Sequence, residues 1–181
     1  SQDDEGKGSR IERPRERPAG PQDPLRLCRE RGLNWLTKDV LAGGRVSLGD
    51  TEHSAPVGVT SLVALAFMAG GSSTNRGPHQ AALTQVIDFL LDHSAGDDEP
   101  HPGFITSRGD VNSRTHGHGL AILALTQAYS LSPGSQRGKR MAAAIRRGVK
   151  CIEKAQSPRG GWYYTPEPMD LHEGSVTVCL L

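Results

Sequence analysis

Most of the side chains suited to acid–base work or metal ligation fall in three short segments: Glu52–Val57, Asp110–His118 and Asp170–Gly174. They carry His53, then Asp110, Arg114, His116 and His118, then Asp170, His172 and Glu173. Imidazoles and carboxylates move protons near neutral pH when their surroundings tune them. Asp170, His172, His116 and His118 form the candidate catalytic set, and all four are also zinc-ligand types. Residues two apart on a helix point to different sides, so either pair would chelate one ion only from a non-helical turn. No cofactor is therefore predicted, with zinc kept as the metal these residue types would suit. The competing reading is capping: Asp110, Asn112 or Ser113 at the start of the helix that follows, and Asp170 at the start of the next. The acidic run Asp97-Asp98-Glu99 lies in a loop and reads as solvated surface.

These segments sit between runs of helical periodicity. Arg26–Leu41 places Leu27, Leu33, Trp35, Leu36 and Val40 near helical spacing and stops at Gly43-Gly44. Val57–Ala69 is small and apolar and ends at Gly70-Gly71. His79–Asp92 is amphipathic, Arg114–Ser130 apolar, Arg137–Ala155 amphipathic, and Glu173–Leu181 opens a third apolar run. Amphipathic helices leave one side in water, whereas helices apolar all round must be enclosed. The alternation predicts an outer and an inner layer, and no useful period-two segment predicts sheet.

The pattern repeats about every 60 residues. Val59–Leu65 lines up with Gly119–Leu125 and with Val176–Leu181; Gly32–Leu36 lines up with Val86–Leu90 and Gly148–Ile152. The repeat domain is expected to run from Leu25 to Leu181 as three helix pairs, incomplete at the C-terminus. Residues 1–24, rich in Pro, Gly and Arg, have little apolar surface to offset the entropy of ordering and read as a disordered leader.

Composition removes several function classes. Lys+Arg 21 against Asp+Glu 20 gives a net charge of +1, which offers no field for nucleic acid. The longest apolar runs fall far short of the roughly 20 residues of a membrane span. Cys28, Cys151 and Cys179 show neither disulfide nor CxxC metal spacing and read as small apolar residues. The sequence opens on Ser1 instead of Met; a removed secretory signal, with a secreted or periplasmic location, is one explanation and truncation another.

The third unit reads Arg147-Gly148, two residues, Cys151-Ile152, three residues, Gln156, three residues, Gly160-Gly161-Trp162. This resembles the QW motif of triterpene cyclases, with Cys151 where an aromatic is usual. The first unit keeps Arg31, Gly32, Trp35 and Leu36; the second keeps Phe89-Leu90 and Gly103-Phe104. With Gly117-His118-Gly119 and Gly160–Tyr164, the chain is similar to bacterial prenyltransferase and squalene-oxidase-repeat proteins of the kind familiar from planctomycetes. That resemblance implies an α/α toroid, as in squalene cyclases and protein prenyltransferases, and an isoprenoid or other apolar small molecule in a central cavity. It implies terpene-cyclase-like or prenyltransferase-like activity as one outcome and a non-catalytic binding or structural module as the alternative. No DxDD acid motif, prenyltransferase zinc motif or Cys–Gln thioester motif occurs in the sequence, and aromatics are only 4% of residues, poor material for stabilising a carbocation. Arg147, Gly148, Gln156, Gly160 and Trp162 are read as scaffold, with Trp162 packed over the Gln156 amide to fasten neighbouring helices.

Overall fold

The computed structural model describes residues 23–43, 46, 54–112 and 114–181. The leader expected over residues 1–24 lies, except for its last two residues, outside the described part, as do His53 and Ser113. The chain is all-α: α1 (Pro24–Gly43), α2 (Pro56–Ala69), α3 (Gln80–Asp92), α4 (Arg114–Leu131), α5 (Gln136–Ala155) and α6 (Gly174–Leu180). Among the described residues extended pairing is limited to two isolated bridges, Ser73 with Arg76 and Ser94 with Ile105.

The boundaries follow from local chemistry. α1 starts at Pro24, whose missing N–H costs nothing in a first turn. α2 starts the same way at Pro56 and ends where Gly71, at φ +89°, takes the left-handed conformation that closes a helix. Ser135 caps α5 by accepting the Gly138 N–H at 2.9 Å.

The helices stack in two rows. α2 packs on α4 and α4 on α6, forming a first layer; α1 packs on α3 and α3 on α5, forming a second. α2 with α3, and α4 with α5, join the layers. The main core lies between them, with Phe67, Leu83, Ile87, Leu90 and Leu125 fully buried. In the second layer Arg137 forks onto the Asp88 carboxylate at 2.8 and 2.9 Å, and Arg140 reaches Asp92 at 2.8 Å. Such half-exposed pairs orient α5 on α3 more than they stabilise it.

Two expectations are corrected here. First, the apolar helices of the first layer are not enclosed all round: Leu62 is 53%, Leu123 54% and Val178 75% exposed. Second, the burial pattern slips the repeat register. It superposes Leu62 on Leu123 and Val178, not on Ile122 and Cys179 as the residue types had suggested. Gly58 faces the Gly117 Cα of the next first-layer helix, and Gly119, its counterpart, faces Cys179 of the one after.

Candidate functional site

The N-terminal ends of α2 and α6 are each finished by a carboxylate, Asp110 and Glu173 respectively. Asp110 sits just before α4 yet caps α2: its carboxylate accepts the Val57 N–H at 3.2 Å and the Ser107 N–H at 2.7 Å. Ala55, at φ +46°, cannot cap its own helix with a methyl group, so the α3–α4 loop supplies the acceptor. Burial nevertheless pushes the Asp110 carboxyl above its ordinary pKa, because desolvation outweighs those two bonds. A pocket of about 520 Å³ opens beside it, lined by His93, Arg108, Asp110 and Arg114 among others. Asp170 does not start α6. It pairs with Arg159 at 2.9 Å on the surface, and Glu173 is the cap, accepting the Val176 N–H at 3.0 Å.

The four residues of the candidate catalytic set do not converge. His118 is built into the core: its Nδ1 accepts the Ile105 N–H at 3.1 Å, and its Nε2–H donates to the Gly148 carbonyl at 3.3 Å. The ring also packs on Phe104, centroid to centroid 4.9 Å. Both ring nitrogens are spent on backbone, and burial lowers its pKa to about 4, so it is a neutral strut at pH 7. Asp170 is committed to Arg159. His172 lies on the Trp162 loop, where a methyl group on Gly161 would come within 2.6 Å of its Cβ.

Of the four, His116 alone is linked to another of the candidate polar residues, Glu173, and it is reached through Ser175. Its Nε2 lies 2.8 Å from the Ser175 hydroxyl, which in turn bonds the Glu173 carboxylate. That hydroxyl and the Val176 N–H hold Glu173 below the usual carboxylate range. The order of the chain matters chemically. An ionised Glu173 can only accept, so the Ser175 O–H donates to it, and the His116 Nε2–H donates to the Ser175 oxygen instead of drawing its proton away. A serine nucleophile needs the opposite polarity. The relay therefore ties α4 to α6. Tyr164 covers the imidazole at 5.7 Å, and Nδ1 is left buried without a partner.

No family model, curated protein or solved structure matches this chain.

Among the described residues no group of three or more His, Cys, Asp or Glu is placed to hold a metal ion. Likewise, no described helix is long and apolar enough to cross a membrane.

The motif residues occupy the α5–α6 joint. Trp162 is buried against Ala155, Ile152, Val176 and Leu180, and its indole N–H donates to the Ile152 carbonyl at 2.8 Å. Its backbone N–H donates to Thr177 Oγ1 at 3.2 Å. Gln156 closes its own turn instead of crossing to a neighbour, donating to the Gly160 carbonyl at 2.7 Å, with Gly160 at φ +93°. Gly148 leaves room for Ile122 of α4. Sequence reasoning passed over Ser175 and Tyr164, which meet His116 only through the fold. It also passed over Lys150 and Lys154, whose spacing from Arg147 (three and seven residues) was legible as one helix face.

Proposed function

We propose that this chain is part of an α/α-toroid-like array that binds an isoprenoid or similarly apolar small molecule along its first layer. The observation that carries the reading is the row Leu62, Leu123 and Val178, one exposed branched apolar side chain at the same register of α2, α4 and α6. A single exposed leucine needs no explanation; a repeated one on successive helices makes a continuous apolar strip. The two-row stacking, and the joint built by Trp162, support the toroid-like architecture in which such a strip faces the cavity.

Binding is favoured over turnover. Of the candidate residues, His118 and Asp170 already have partners, and His116 is engaged in a relay of the wrong polarity. The experiment is equilibrium titration with a fluorescent farnesol analogue, comparing the native chain with Leu123→Glu. The exposed position tolerates the charge, so folding survives while affinity falls about tenfold or more, the cost of desolvating an unpaired carboxylate. Equal affinity in the variant, or no binding by the native chain, contradicts the reading. A structural module without a ligand is the second reading, supported by His118, Asp170 and His116 Nε2 already having partners within the fold.

A further inference from the structure

We propose that a second site, on the opposite layer, binds a phosphate-class oxyanion in the pocket between α5 and the α3–α4 loop. The pocket holds about 160 Å³, room for one such group with its first waters. Arg147, Lys150 and Lys154 line it from a single face of α5, Asp97 and His101 from the loop, and Cys151 between the lysines.

Four observations point to an anion. Three cations stacked at this spacing repel one another in an empty helix face. Lys154 is explained in part by the helix C-terminus, but Arg147 and Lys150 are not. Neither lysine forms an ion pair among the described residues. Arg147 Nε is buried without a hydrogen-bond partner; its nearest carboxylate, Asp97, stands 3.9 Å off and is 79% exposed. An oxyanion seated among these three cations accepts charge-assisted bonds from the two ammonium groups and the guanidinium edge, which Asp97 at that distance and exposure does not match.

The wall opposite α5 is built at some expense. His101 adopts φ +56°, a conformation non-glycine residues avoid, and Gly103, at φ +84°, lies so close to the Arg147 backbone that a methyl group would overlap it. Glu167 binds the His101 imidazole at 2.9 Å, so that carboxylate is already engaged. Burial pushes the Cys151 thiol up, which keeps it neutral and adds no negative charge. Positive charge is thus left over.

Free phosphate and a lipid phosphate headgroup share this chemistry. The test uses calorimetric titration of the full chain with inorganic phosphate and diphosphate, and sedimentation with phosphatidylcholine vesicles with and without phosphatidic acid. Saturable binding is expected in at least one arm, and the responding arm identifies the source. The Lys150→Gln/Lys154→Gln double variant replaces two exposed side chains, and its melting curve should match the native one. It should bind at least about tenfold more weakly, the loss of roughly one charge-assisted bond. Asp97→Asn, which removes the competing carboxylate, should bind more tightly. No saturable binding in either arm overturns the proposal, and so does affinity unchanged in the double variant. Neither result touches the apolar strip, which belongs to the other layer.

Discussion

Trp162 and His118 show how single side chains fasten this fold. Trp162 brings two distinct contributions: an indole surface buried at the α5–α6 joint, and an N–H bonded to the Ile152 carbonyl. Trp162→Ala should cost about 3–5 kcal/mol in urea denaturation. Trp162→Phe keeps most of the apolar contact and should cost less, the lost bond contributing about 1 kcal/mol. Similar losses from both variants would mean that the bond, not the packing, holds the joint. His118 gives a pH signature. Its folded pKa of about 4 lies below the ordinary 6.5, so the unfolded chain binds the proton more readily. Its contribution is complete above pH 6.5 and declines as pH falls from there toward 4, by on the order of 3 kcal/mol across that window. His118→Gln should flatten this part of the stability-versus-pH curve. A slope unchanged in the variant would assign the acid sensitivity to other groups.

Helices pack as closely as their smallest residues allow. Gly119 faces Cys179 so nearly that a methyl group would overlap the Cys179 carbonyl, whereas at Gly58 the nearest atom is 3.7 Å away, in ordinary contact. Gly119→Ala should therefore force α6 from α4 and lower the melting temperature despite alanine's better helix propensity. Gly58→Ala should be neutral or stabilising by up to about 1 kcal/mol. The two melts together check the stacking of the first layer. All six helices were legible in the sequence to within two residues at either end, because periodicity and the Gly and Pro stops act locally. Less local features were not. Asp110 caps α2 because the α3–α4 loop folds back onto a helix 53 residues earlier in the chain. The repeat register slipped because small apolar residues resemble each other in type, and only burial separates exposed Leu123 from its half-buried neighbour Ile122. His118 read as chemistry because an imidazole looks the same in sequence whether or not the backbone has taken both nitrogens.

At the scale of the whole molecule, two rows of helices leave two surfaces of opposite character: an apolar strip on the first layer and a basic pocket on the second. A net charge of +1 hides that division, since the positive charge of α5 is offset elsewhere along the chain. The central claim concerns the strip, and it can be read directly from methyl resonances. When farnesol is titrated into the labelled chain, the methyl signals of Leu62, Leu123 and Val178 should shift together and saturate at one concentration. Those of Leu25 and Val149, exposed on second-layer helices, should stay in place. Shifts confined to Leu25 or Val149, or no saturable shift at the three strip residues, would contradict the account.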